Sequence, residues 1–255
     1  MERGGCELIL RNIAALTSAL LVTVAASAEA QERFKVSINA GTQGSTESFA
    51  ETQTFQQYFE QGTFTFGRTV AKTLFYDAGV AVRLWRNVHA GASVSRFEDT
   101  GAGELTAEVP HPLFFARPRS LTGEVAGVTR HELAQHVFVG WAIPAAGGLE
   151  FMIFGGPTLF TTEQVFVTTL MLSLDKEAYP FDTLAFPGAV TENLRENVVG
   201  YHAGIDMTWR FARKVGAGLL IRYANGKRDF TPTGGTPVEV TVGGLHAGGG
   251  LRLIF

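Results

Sequence analysis

Four of the six histidines, His89, His136, His202 and His246, together with a scatter of ionisable residues, are the first candidates for chemistry in this chain. His131-Glu132 followed by His136 has the composition of a metalloprotease helix, where two histidines one turn apart bind zinc and the glutamate acts as base. Here the second histidine comes five residues after the first instead of four. On a strand, residues an odd number apart point to opposite faces, so the spacing excludes that site. The remaining histidines read as polar filling of an interior or as a metal site assembled from separate strands. No cysteine or carboxylate stands at ligand spacing, which favours filling, and no metal or other cofactor is expected. Gly41 to Gly44 and Gly101-Ala102-Gly103 lack the strand-turn-helix setting of a nucleotide cradle. No Gly-x-Ser-x-Gly elbow occurs, and no Ser, His and Asp stand at a distinctive spacing. An enzyme is not expected.

The elements that position these residues are strands. From Val199 to Phe211 the chain alternates Val, Tyr, Ala, Ile, Met, Trp and Phe with Gly, His, Gly, Asp, Thr and Arg. Such alternation gives a strand one apolar face and one polar face. Arg3 and Arg11, the apolar run from Ile13 to Val24 and the small residues around Ala28 and Ala30 read as a secretory signal over residues 1–30. That run is shorter than the ~20 apolar residues of a spanning helix, and no later run approaches that length. A β-barrel over residues 31–255 is the remaining way to satisfy backbone groups in lipid. The net charge of -3 leaves no basic footprint, so nucleic acid is not an expected partner. The only cysteine, Cys6, lies within the signal, which leaves no disulfide.

Tight turns are expected at Trp85-Arg86-Asn87, Pro144 to Gly148 and Ala212-Arg213-Lys214, with long loops between them at the other end. Both chain ends then lie on the periplasmic side and the strand count is even. The reading is an all-β, eight-stranded antiparallel up-and-down transmembrane barrel with long extracellular loops; ten strands arise if a loop hairpin joins the wall. The staves run from Phe34 to about Tyr58, Gly62 to Leu84, Val88 to Phe97, Thr129 to Ile143, Leu149 to Val167, Val198 to Phe211, Val215 to Phe230 and Val238 to Phe255. Trp85, Trp141, Trp209, Phe211 and Phe255 fall at the turn level as an inner aromatic girdle, and Tyr76, Tyr201 and Tyr223 form an outer one. Eight residues separate the two levels. At ~3.3 Å per residue and ~40° tilt that is about 20 Å, close to the ~25 Å apolar band of such barrels.

The inward positions carry Lys35, Asp77, Arg83, Glu150, Asp206, Arg210, Arg222 and Arg252, five cations against three carboxylates, interleaved with glycines that leave room for long side chains. An eight-stranded barrel is just wide enough for side chains to fill, so a plugged lumen with an ion-pair network is expected. Arg83, Glu150, Arg210 and Arg252 should meet near the periplasmic end, with Asp77 and Asp206 higher. Among the loops, Leu105 to Val109 and Leu121 to Val125 read as an outward hairpin. Its tip carries Phe114, Phe115, Arg117 and Arg119, and the next loop carries Tyr179, Phe181 and Phe186. These residues either form a contact surface for an extracellular ligand or pack the loops together.

The closing pattern Gly248-Gly249-Gly250-Leu251-Arg252-Leu253-Ile254-Phe255, with the alternation from Phe34 onward, resembles the OmpA/OmpX-type family of small outer-membrane β-barrels. The resemblance implies a place in the bacterial outer membrane, surrounded by its lipid and lipopolysaccharide. It also implies delivery by periplasmic chaperones and recognition of the terminal Phe255 by the barrel assembly machinery. It carries no catalytic motif. The leading expectation is a non-enzymatic barrel with a structural or surface-interaction role. The alternatives are a narrow OmpW-like conduit for small or apolar solutes and, less favoured because the histidines point inward, a lipid-modifying barrel enzyme.

Overall fold

The computed structural model describes residues 34–44, 48–69, 71–172, 179–233 and 237–255, so the expected signal segment lies outside the described residues. The two-residue alternation becomes ten strands: β1 (Phe34–Gly44), β2 (Ser48–Gln57), β3 (Glu60–Thr69), β4 (Thr73–Trp85), β5 (Val88–Val109), β6 (Arg119–Pro144), β7 (Leu149–Met171), β8 (Gly188–Arg210), β9 (Val215–Phe230) and β10 (Val238–Ile254). Every pairing is antiparallel. Moving from β1 through β4, β5, β6, β7, β8, β9 and β10 along hydrogen-bonded neighbours returns to β1, so eight strands close a ring. Phe34 and Phe255 seal the seam with reciprocal backbone bonds of 3.0 and 2.8 Å. A closed ring leaves no strand edge in the membrane.

The described strands number ten, not eight, because two expected staves are each described as two strands: β1 ends at Gly44 and β2 begins at Ser48, and β3 ends at Thr69 and β4 begins at Thr73. β2 and β3 stand above the ring, where β3 pairs with the upper part of β5 from Thr63↔Glu108 to Gly67↔Glu104. The turn at Trp85 is also shorter than expected. Trp85 pairs with Val88, leaving a two-residue turn, Arg86-Asn87, and a register shift between Arg83 and Trp85 restores the phase. Most of the segment expected as a loop from Glu98 to Val128 is wall: β5 runs on to Val109 and β6 starts at Arg119.

On the ring the apolar positions face outward. Ile205 is 47% exposed, Leu219 53% and Val199 77%, values that a sandwich core would drive to near zero. Further up, β5 reverses its polarity without changing parity, whereas β6 passes a bulge at Gly127 (φ 72°) that moves its inward side chains from even positions below to odd positions above. On β5, His89, Ser93 and Ser95 point in while Ala92 and Val94 point out; beyond Arg96, Leu105, Ala107 and Val109 are buried while Glu104, Thr106 and Glu108 are exposed. Lipid surrounds the lower half and water the upper half, so the side that must be apolar switches at this level.

Above the reversal the wall opens into three ribbons, because the pairings β6–β7, β8–β9 and β1–β10 end at Arg130↔Gln164, Gly200↔Gly226 and Gly44↔Leu245. The ribbons β2-β3-β5-β6, β7-β8 and β9-β10 turn their apolar faces together. Phe64, Phe66, Leu105, Phe160, Phe166, Phe230 and Val242 form one buried cluster that caps the lumen.

Candidate functional site in the barrel lumen

Inward parity and close strand spacing force long polar side chains to find partners across the ring. Nearest the short turns, Lys35 Nζ donates to Glu150 Oε1 at 2.5 Å and to Thr208 Oγ1 at 3.2 Å. Arg83, His89 and Arg210 line the same cavity, whose volume is about 20 Å³. One level up, Arg252 pairs with Asp206 and donates to Asn39 Oδ1 at 2.6 Å, while Thr208 donates to Asp206 Oδ1 at 2.9 Å. Asn39 Nδ2 donates to Asp77 Oδ1 at 2.9 Å. Asp77 Oδ2 in turn accepts from Arg222 Nη1 at 2.9 Å, and the same guanidinium donates to His246 Nδ1 at 2.9 Å and Ser93 Oγ at 3.2 Å. The result is one continuous chain, Glu150, Lys35, Thr208, Asp206, Arg252, Asn39, Asp77, Arg222 and His246, which with the Ser93 branch touches seven of the eight ring strands.

His136, on the eighth strand, β6, carries a separate set of contacts. Its Nε2 lies 3.1 Å from Ser95 Oγ and its Nδ1 2.8 Å from Thr158 Oγ1, which also lies 2.8 Å from His202 Nδ1. His131, on the same strand, is partly exposed on the outer face beside Glu98 at 3.5 Å. The five-residue spacing therefore separates the two histidines by the thickness of the wall. Among the described residues, no group of three or more His, Cys, Asp or Glu side chains is placed to hold a metal ion.

One expected meeting does not occur. Arg252 does not join Arg83, Glu150 and Arg210 at the periplasmic end; its side chain reaches up to Asp206 and Asn39. Gly218 makes this possible, since a Cβ there would come 2.4 Å from the Arg252 Cζ. Above the expected network lies a second layer that the sequence analysis did not name. Arg68 Nη2 meets Asp99 Oδ2 at 2.5 Å, and Arg130 Nη2 meets Glu132 Oε1 at 2.5 Å. Glu132 Oε2 also accepts from Gln43 Nε2 at 3.1 Å and the Gly243 amide at 3.2 Å. Arg130 and Glu132 share the inward parity of His136, so the signal was present in the strand.

Trp85, Trp141, Trp209, Phe211 and Phe255 are all exposed on the outer wall, as are Tyr76, Tyr201 and Tyr223. Trp85 and Trp141 both pair with Val88. Arg86 lies 4.8 Å from the Trp85 ring centroid and Lys214 5.9 Å from that of Phe255, which places cations at the girdle facing the headgroups.

The loop residues divide. Phe114, Phe115 and Tyr179 are exposed, and Arg117 is exposed while bonded to Asp182 at 3.1 Å. Arg119 is buried, donating to Phe181 O at 2.9 Å and Pro110 O at 3.1 Å, so it fastens the loops and presents no contact surface. Phe181 is half-buried. Phe186 packs against the capping cluster, its ring over Gly123.

A closed antiparallel ring, an exposed apolar belt between two aromatic girdles and a polar, filled interior define a small transmembrane β-barrel of the outer-membrane class. Its fold is similar to that of Neisserial surface protein A, with a TM-score of 0.39 at 8% identity, covering 87% of this chain and 97% of that one. It is also similar to the outer membrane protein OprG from Pseudomonas aeruginosa, with a TM-score of 0.48 at 7% identity over 90% and 99% of the two chains. The outer membrane protease OmpT from Escherichia coli gives a TM-score of 0.41 at 6% identity over 91% and 99%. No family model and no curated protein sequence matches the chain.

Proposed function

We propose that this protein is a non-enzymatic outer-membrane barrel whose lumen is a structural strut and whose function resides in the extracellular hairpins it holds up. The observation that carries this reading is the filled interior. Two cavities in the lumen measure about 20 and 40 Å³, room for only a few waters at the ~10–15 Å³ each needs. The ion-pair chain crosses the ring between them. Ser95 and His136 touch, but the other nitrogen of His136 is held by Thr158 instead of a carboxylate and both residues are buried, which favours packing over nucleophilic chemistry.

The same reading has chaperones and the barrel assembly machinery deliver the chain through its terminal strand, with lipid and lipopolysaccharide around the belt. Planar-bilayer recording of the purified barrel tests it: conductance is expected at the level of the bare membrane. Sustained single-channel currents would replace the strut with a conduit. Impermeant labels introduced at Thr106 and Phe115 should react on intact cells, and silence at both positions would place the hairpins elsewhere.

A further inference from the structure

The periplasmic rim of the barrel carries exposed cations that form no ion pair among the described residues. They are Arg86 in the β4–β5 turn and Arg213 and Lys214 in the β8–β9 turn. The β6–β7 turn, Ala145 to Gly148, is uncharged. At the other end of the molecule exposed cations are matched: Arg96, Arg117, Arg195 and Lys227 lie 3.3, 3.1, 3.2 and 2.7 Å from carboxylates. The chain has 24 acidic residues against 21 basic ones, so acids are available and these turns hold none.

The rim cations stand at the wall, beside lipid. Arg86 Cζ lies 4.8 Å from the centroid of the Trp85 ring and Lys214 Nζ 5.9 Å from that of Phe255, and both rings are on the lipid face, 62% and 53% exposed. The Lys214 carbonyl accepts from the Ile254 amide at 2.9 Å, which fixes that turn against the last strand. Because β9, β10, β1 and β4 are successive neighbours in the ring, the two cation–ring pairs flank the β1–β10 seam. An aromatic ring at the membrane boundary with a cation over it sets that cation at the depth of the headgroup phosphates. A zwitterionic headgroup brings an ammonium along with its phosphate, and these turns offer the ammonium no carboxylate. An anionic headgroup makes no such demand. A soluble acidic protein would instead meet the end of the cylinder, where Ala145 to Gly148 gives it no charge to bind.

We infer that the seam side of the periplasmic rim, Arg86 with Trp85 and Arg213-Lys214 with Phe255, is a binding site for anionic phospholipids of the inner leaflet. The inference goes beyond the display role proposed above and stands on the membrane wall alone. The three tryptophans of the chain, Trp85, Trp141 and Trp209, are at this level and report on it. The full barrel is refolded into phosphatidylcholine vesicles in which either phosphatidylglycerol or phosphatidylcholine carries brominated acyl chains, and quenching of tryptophan fluorescence by each lipid gives their relative occupancy of the wall. Phosphatidylglycerol should be preferred about fivefold or more at low salt, as one or two lysine or arginine contacts supply. Salt at about 0.5 M, where the Debye length is roughly 4 Å, should remove most of that preference. The variant R86Q/R213Q/K214Q should bring the ratio close to one while keeping its heat-modifiable migration. Inorganic phosphate at matched ionic strength should leave the ratio unchanged, and displacement by it would replace the headgroup with the free ion. Equal quenching by the two lipids in the parent, a preference that survives salt, or one that the folded triple variant retains would overturn the inference. The parent ratio and its salt dependence decide the matter even where the triple variant misfolds.

Discussion

Arg222 and Arg252 are among the least exposed side chains in the molecule, at 1% and 0%, and each survives there because carboxylate, amide or imidazole acceptors surround its guanidinium. Removing a partner from such a pair leaves an uncompensated charge, at a cost of about 3–5 kcal/mol, whereas replacing both members with packed apolar groups is far milder. Asp206→Ala should therefore lower the urea midpoint of the refolded barrel substantially, and the double variant D206L/R252M should recover much of the loss. Equal losses would show that the pair is not coupled. Glu51, in the extracellular cap, is a different case. Burial pushes its carboxyl above the ordinary value, and the Gln53 side-chain amide, bonded to it, only partly opposes this. A carboxyl with a raised folded value stabilises the fold at low pH, and that contribution is lost as pH rises through the raised value. Glu51→Gln should thus protect the β2–β3 hairpin from proteolysis at pH 7.5, with the difference fading as pH falls into the ordinary carboxylate range. Protection that is equal at every pH would exclude Glu51 as its source. Which residues point inward was legible from parity alone, Lys35 through Arg252. Which ones touch was not, because an arginine side chain spans about a strand spacing or more and its direction depends on a neighbour such as Gly218.

Strand β5 carries the transition between two solvents within one continuous element. Its outward positions at Ala92 and Thr106 share a parity and a wall, yet one faces lipid and the other water. A lysine at the middle of the apolar band costs about 2–4 kcal/mol, and one beyond the interface costs little. Ala92→Lys should reduce folding yield into vesicles and lower the unfolding midpoint, while Thr106→Lys should leave both within about 0.5 kcal/mol of the parent. If the two behaved alike, the polarity reversal would not mark the membrane surface. The staves were readable from alternation because lipid and lumen demand opposite side chains at every residue. The divisions were not: odd positions face inward on both β1 and β2, and between β3 and β4 the apolar residues keep their even positions although these face inward at Phe64 and Phe66 and outward at Leu74 and Val80. The length of β5 and β6 was hidden for a related reason. Glu98 to Val128 reads as a loop when outward residues are expected to be apolar, and as strand only once the outside is known to be water.

At the scale of the whole molecule, the fold depends on joining the first and last strands of the ring: β1 pairs with β10 from Lys35↔Ile254 to Gly44↔Leu245, and Phe34 and Phe255 close the seam. Phe255 has two separable contributions there. Its backbone completes the register, and its ring, 53% exposed with Lys214 nearby, sits on the lipid face where an assembly factor could read it. Phe255→Ser keeps the backbone pairing and removes only the ring. Refolding of this variant into detergent or vesicles should therefore proceed almost as for the parent, with the same heat-modifiable shift on a denaturing gel. In cells, by contrast, the assembled fraction in the outer membrane should fall several-fold, with unassembled chain accumulating in the periplasm. Equal assembly in cells would remove the terminal ring as the feature read by the machinery. A matching defect in purified lipid would instead make the ring a part of the barrel's own stability, since a closed cylinder tolerates a weakened seam poorly when every backbone group beside it faces hydrocarbon.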